Sequence, residues 1–453
     1  MSALLISGGT IVNEGRRFPG WVLVRGGDIA GVGEGEYPFA ERFSGTRVDA
    51  TGRIVMPGVI DPHVHFREPG LTAKGDMASE SAAAVAGGVT SVLEMPNTVL
   101  PAVGRDLLER KFDLAAGRMH TNYSFFLGAT ADNLPEIKRF WADGGRLVKL
   151  FMGSSTGGML VDDGRSLAAL FAEFGGVIAA HCEDEAMVRA NTDTYRRQSG
   201  DRATAAIHPL VRSAEACYVS TARAVELADR YGSQLHVCHL TTARELGLFG
   251  AGRAAAKLIT AEACVPHLWF SDDDYARLGN RLKCNPAVKS AADRQALREA
   301  VAGAGEWRDR IDIVATDHAP HTADEKARGY WDAPSGIPSV QFSLPVMFTL
   351  AAEGVVSLET VVEKMCHAPA ARFGMAGRGF LREGCRADIA IVDPTAATTP
   401  STDAPVLSKC GWSPWEGERL GARVATTIVG GRVAWDGTRV ASEAAGERLV
   451  FEK

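Results

Sequence analysis

Between residues 59 and 317 the chain repeats one pattern of apolar and polar positions: a short β-branched apolar run, a polar or glycine-rich break, then a longer stretch of helical character. The runs are VIDPHVH (59–65), VTSVLEM (89–95), NYSFFLG (122–128), RLVKLF (146–151), GVIAAH (176–181), QLHVCH (234–239), KLITAEA (257–263) and IDIVATD (311–317). Strands that alternate with helices pair in parallel, and eight such units are the number that closes a (β/α)8 barrel. Two intervening stretches carry clear helix signals. KGDMASESAAAVAGG is alanine-rich and ends in a glycine pair, and RSAEACYVSTARAVELADRYG spaces its apolar residues helically before a terminal glycine.

The flanks follow a different rhythm. WVLVRGGDIAGVG near the start, and ADIAIVDP and VATTIVGGRVAWDG near the end, alternate and are punctuated by glycine, as strands joined by tight turns do. Neither flank has enough strands for a stable sheet alone. The expectation is therefore an α/β chain: a (β/α)8 TIM barrel over 58–379, with a small composite β-sandwich domain assembled from 1–57 and 380–453.

Composition narrows the function. The 453 residues are 46% hydrophobic and 23% charged, ordinary globular usage that excludes wholesale disorder. A net charge of -6 and a pI near 6.0 argue against nucleic-acid binding through a general electrostatic field. The first residues lack the charged start and apolar core of a signal peptide, and no apolar stretch nears the ~20 residues of a membrane span. A cytoplasmic protein is expected, with its eight scattered cysteines reduced.

Candidate chemistry sits where barrel enzymes keep it, at the C-terminal ends of the strands. His63 and His65 are two apart on the first run and share a face. Lys149 lies near the end of the fourth run, His181 ends the fifth, His239 the sixth and Asp317 the eighth. Four imidazoles and a carboxylate suit zinc-like cations and exceed what one open tetrahedral site takes, so two metals needing a bridge are implied. Burying an ammonium at Lys149 is costly. His236 differs in strand parity from His239, so only one of them is expected to face the interior. His120, His208, His267 and His367 are read as surface or core histidines, and Asp272, Asp273 and Asp274 as a helix start. Cys182 and Cys238 are read as small packing residues.

DPHVHFREPG, LVKLFMGSSTG, AHCEDE, LHVCHLTT, NPAVK and ATDHAPH, in that order, resemble the signature of the cyclic amidohydrolases and, within them, the dihydroorotase group. GFLREGCRADIAIVDP continues the likeness into the C-terminal flank. The resemblance implies a metal-dependent barrel in which His63, His65, a carboxylated Lys149, His181, His239 and Asp317 hold two zinc ions. It makes Asp317 the catalytic acid/base as well. It also implies that Arg67, Asn97 of the MPNT motif and His321 bind the substrate carboxylate, with Asn285 on the pyrimidine ring. Arginine gives the planar bidentate recognition that a carboxylate asks for. Two features complicate the likeness: long-chain relatives with an aspartate-rich loop dispense with the modified lysine, and this chain carries both Lys149 and the pair Asp162 and Asp163. NPAVK ends in lysine where relatives often have arginine, and no substrate role is assigned to Lys289.

The activity so implied is reversible hydrolysis of L-dihydroorotate to N-carbamoyl-L-aspartate, within pyrimidine synthesis, by a small-molecule enzyme of homodimeric assembly. The alternatives are a hydantoinase or allantoinase acting on another cyclic ureide, and a non-catalytic homologue that serves as an assembly partner of a dihydroorotase or a transcarbamoylase. The loop HTADEKARGYWDAPSGIPS after the eighth run is long enough to close over a substrate.

Overall fold

The computed structural model describes residues 3–153 and 158–452. Every one of the eight apolar runs carries a strand: Val59–Val64, Val89–Glu94, Asn122–Phe125 with its continuation Leu127–Gly128, Leu147–Phe151, Val177–His181, Gln234–Val237, Ile259–Cys264 and Ile313–Ala315. Neighbours pair in parallel in chain order. The eighth strand returns to the first through a parallel bridge from His318 to Val64, with the His65 N–H donating to the His318 carbonyl at 2.7 Å. The ring is closed.

Both helices with clear signals form, and their ends are chemically specified. Met77–Ala86 starts at Asp76, whose carboxylate accepts from the Ser79 N–H, and stops at Gly87. Ala214–Tyr231 starts at Ser213 and ends at Gly232, which takes the left-handed conformation at φ +66° that only glycine adopts without strain. Ser271 caps the short turn Asp272–Asp274, so the acidic run is a helix start.

The chain ends meet in one sheet of eight strands. Ala3–Asn13, Arg16–Arg25, Asp28–Glu34, Thr46–Asp49 and Ile54–Pro57 come from the N-terminal flank, and Ile389–Asp393, Arg423–Val429 and Arg432–Trp435 from the C-terminal flank. The seam is the antiparallel pairing of Ile389–Asp393 with Ile54–Pro57. Leu4, Ile6, Val22, Val24, Ile389 and Ile391 share a core of their own, separate from the main barrel core. Burial of these side chains, worth roughly 1.5–3 kcal/mol each, ties the flanks together. All eight cysteines are free, six of them buried. Among the described residues no helix is long and apolar enough to cross a membrane.

Two strands end two residues before their apolar runs do. The regular strands end at Val237 and Ala315, so His239 and Asp317 lie two residues beyond them. The backbone there turns left-handed, with φ +39° at His239 and φ +47° at Asp317. This overturns the parity argument for the sixth run. His236 faces the interior and meets Glu262, and His239, aimed by the turn and not by strand alternation, comes beside His63. Cys238 likewise faces the interior, with its Sγ 3.1 Å from Lys149 Nζ.

Candidate metal and substrate site

A cavity of about 340 Å³ opens at the C-terminal ends of the barrel strands. His63, His65, Lys149, His181, His239, Asp317, Arg67, Asn97, Asn285 and His321 all line it, joined by Phe151, Ala319 and the loop segment Pro334, Ser335 and Gly336. Asp162 and Asp163 do not: both are exposed, and Asp163 caps the helix Gly164–Glu173.

The donor atoms converge in two groups. Asp317 Oδ1 lies 3.3 Å from His63 Nε2 and 3.1 Å from His65 Nε2. His181 Nδ1 lies 3.0 Å from His239 Nε2, and the His239 ring is 5.1 Å from that of His63. Burial drives His65 down to about 4 and lowers His181 and His239, so these rings are neutral and offer lone pairs near neutral pH. Burial opposes ionisation of Asp317 too, but His63, His65 and His239 outweigh it and hold the carboxyl below its usual range. On His63 burial is outweighed by Glu262, Cys238 and Asp317, and its pKa is raised. A cation bound here displaces that proton. Neutral imidazoles around an ionised carboxylate fit a divalent metal of the zinc type.

The ligand candidates have orienting partners that sequence reasoning missed. Glu262 Oε1 accepts from His63 Nδ1 at 2.8 Å and from the His239 N–H at 3.0 Å, while its other oxygen meets His236. His65 Nδ1 pairs with Asn97 Oδ1 at 2.7 Å. Strand parity within KLITAEA was the one available signal for Glu262, because an inward glutamate on a buried strand needs a partner. Glu262→Gln should weaken metal binding about 10- to 100-fold, measured by competition with a chromogenic chelator. Unchanged affinity would mean that Glu262 only fills space.

Next to these donors lies a cationic wall. Arg67 is 5% exposed and sits at φ +69°. Its Nε donates to the Pro320 carbonyl at 3.1 Å, and among the described residues no carboxylate lies within ion-pair distance of it. Burial lowers its guanidinium to about 10, still charged at neutral pH. Three non-glycine residues of the site, Arg67, His239 and Asp317, thus hold left-handed backbone at a cost of about 1–3 kcal/mol each.

Two lysines brace the far wall. Lys326 Nζ donates to the carbonyls of Lys283, Pro334 and Gly336, and Lys283 Nζ to those of Tyr330 and Ala333. These bonds fix the Pro334–Gly336 segment against the loop that carries Asn285. A side chain at Gly336 has no room, since a Cβ would stand 2.4 Å from the Ala319 carbonyl oxygen and 2.8 Å from His321. His208 and His267 are core histidines bonded to the Cys284 and Pro286 carbonyls, and His208 also meets Asn285 Oδ1 at 3.2 Å.

Residues 54–434 match the amidohydrolase family. A dihydroorotase of Halobacterium salinarum is 36% identical over 422 residues, covering 88% of this chain and 94% of its own. This chain belongs to the amidohydrolase family. Within it, a dihydroorotase of Methanosarcina mazei is 33% identical over 411 residues, covering 88% of this chain and 87% of its own. Among solved structures, an L-hydantoinase (dihydropyrimidinase) from Arthrobacter aurescens superposes with a TM-score of 0.90 at 27% identity, over 99% of this amidohydrolase and 100% of that chain. Family membership accords with a metal cofactor at the donor cluster.

Proposed function

We infer that this amidohydrolase is a dihydroorotase, interconverting L-dihydroorotate and N-carbamoyl-L-aspartate in de novo pyrimidine synthesis. The observation that carries the reading is Arg67. A buried guanidinium without an anionic partner costs several kcal/mol, and here it faces a cavity beside metal donors. A ring carboxylate is the group that relieves it. Dihydroorotate has that carboxylate, whereas hydantoin and allantoin do not.

His63, His65, Lys149, His181, His239 and Asp317 are assigned to two zinc ions. Lys149, modified by carbon dioxide to a carbamate, would supply the further anionic ligand that this donor set lacks, a role supported by its buried position and by the absence of a carboxylate partner among the described residues. Bound there, such a pair supplies a water of lowered pKa and a Lewis acid for the ring carbonyl. Asp317, ionised at neutral pH, takes a proton as that carbonyl is attacked and returns it to the leaving ring nitrogen, acting as base and then acid. Arg67 and His321 grip the carboxylate, Asn97 adds a contact while steadying His65, and Asn285 meets the ring edge. Orientation of this kind contributes several kcal/mol. Domain limits of 1–57, 58–379 and 380–453 are proposed, with a homodimer as the assembly. Eight unpaired cysteines suit a cytoplasmic setting.

The second reading, a hydantoinase-type hydrolase, draws on the close superposition with the Arthrobacter enzyme. Zinc-supplemented protein is expected to open dihydroorotate at least tenfold faster, in kcat/KM, than hydantoin or allantoin. Preference for either of the latter would keep the metal chemistry and remove the carboxylate site. Metal bound without activity on any ring would favour the assembly-partner reading.

A further inference from the structure

The residues around Arg67 fix where the hydrogen of His321 sits. His321 Nδ1 lies 3.0 Å from Lys74 Nζ, and an ammonium group only donates. Nδ1 therefore presents its lone pair, and the hydrogen of the neutral ring is on Nε2. That nitrogen is 3.0 Å from the Ser335 carbonyl oxygen and 3.1 Å from Arg67 Nη2. A guanidinium also only donates, so Arg67 and His321 cannot bond to each other. The Ser335 carbonyl accepts the Nε2 hydrogen, and an anionic oxygen entering this corner of the cavity shares that hydrogen while accepting from Arg67 Nη2.

Lys74 is itself held in place. Its Nζ lies 2.8 Å from Glu325 Oε1, and Glu325 is anchored by the capping box with Thr322 at the start of the turn Ala323–Lys326. A solvated ion pair of this kind would by itself contribute little. Both side chains are less than one-fifth exposed, however, and the lysine bridges the glutamate to the histidine. The charged groups facing His321 are Arg67, Lys74 and Lys326 on one side of the balance and Glu325, with Oε2 3.5 Å from Nδ1, on the other.

We propose that Lys74 is a positioning residue that sets the tautomer of His321, so that His321 Nε2–H donates to the substrate carboxylate seated on Arg67. The proposal rests on the dihydroorotate reading above. Without Lys74, the nearest partner of Nδ1 is Glu325, which only accepts. An ionised carboxylate is a stronger acceptor than the Ser335 carbonyl at Nε2, so the hydrogen moves to Nδ1, and Nε2 turns a lone pair toward the substrate anion. A donor becomes a repulsive acceptor.

The test uses the full-length, zinc-loaded protein and the variants Lys74→Met and Lys74→Met/Glu325→Gln. KM and kcat are measured on L-dihydroorotate, and KM or Ki on dihydrouracil, the same ring without the carboxylate. In parallel, ¹⁵N-histidine spectra report the His321 tautomer, with His321→Asn identifying the resonance. For Lys74→Met the expected result is a KM for dihydroorotate raised at least about tenfold, kcat changed less than about threefold, and dihydrouracil unaffected. The His321 signal moves from the Nε2–H to the Nδ1–H form. In the double variant the glutamine amide can donate to Nδ1, restoring the Nε2–H form and most of the lost affinity. A KM within twofold of wild type, an equal loss on both rings, or an Nδ1–H tautomer in the wild type would overturn the proposal. Wild-type binding of dihydrouracil in preference to dihydroorotate, with His321 in the Nε2–H form, would instead overturn the carboxylate reading and leave the tautomer assignment standing.

Discussion

An Asp317→Asn enzyme is expected to lose about 10⁴-fold in kcat for dihydroorotate ring opening at saturating metal, the upper range for removing a positioned acid/base. Asparagine keeps the size of the side chain and one oxygen donor, so the metal cluster is disturbed less than by alanine. What it removes is the ability to hold a proton between the attacking water and the leaving nitrogen. Asp317 is suited to that task by position: its Oδ1 lies within 3.3 Å of both His63 and His65, at the mouth of the barrel. Its charge is maintained by His63, His65 and His239 against the effect of burial, so the carboxylate is available throughout the neutral range. Metal analysis of the purified variant separates the two contributions. Activity within tenfold of wild type, with metal content intact, would assign the proton transfer to another group.

Arg67→Met is the second large effect, and it acts on activity and stability in opposite directions. Loss of a buried charge-assisted contact to the substrate should cost about 3–5 kcal/mol, which corresponds to roughly 10²- to 5 × 10³-fold in kcat/KM for dihydroorotate. The folded protein gains by the same change, because Arg67 is buried without a carboxylate partner among the described residues and methionine fills similar space without charge. The melting temperature of the variant should therefore equal or exceed that of the wild type, while turnover of a ring without a carboxylate is little altered. A lower melting temperature together with equal losses on all rings would make Arg67 a structural residue. Such an exchange of stability for function is what a binding site, but not a packing position, is expected to display.

Glu262 and Lys74 act one step back from the chemistry, and both carry weight through the hydrogen they control. Glu262 fixes the Nδ1 side of His63 and so leaves Nε2 toward Asp317, while Lys74 fixes the Nδ1 side of His321 and leaves Nε2–H toward Arg67. In each case the partner on one ring nitrogen decides what the other can do.

Much of this molecule could be read from the order of its residues. Eight apolar runs separated by helix-forming stretches determine a parallel barrel, because strands buried on both faces must be continuously apolar and their connections must cross over. Placing His63, His65, His181, His239 and Asp317 at the ends of those runs is a local property, and so is the helix punctuation at Asp76, Ser213 and Gly232. Contacts between distant segments are not local. The sequence could not say that His236 turns inward to Glu262 while His239 still lines the cavity, because that depends on the strand ending at Val237 and the backbone turning left-handed at His239. Nor could it say that Glu262 would meet two histidines from other strands, that Lys326 would bind three carbonyls, or that Lys74 would meet His321 across 247 residues. Local pattern fixes which segments become strands and helices through propensity and burial. Which hydrogen-bond donor faces which acceptor is decided only when closure of the barrel brings the strand ends within a few ångströms of one another.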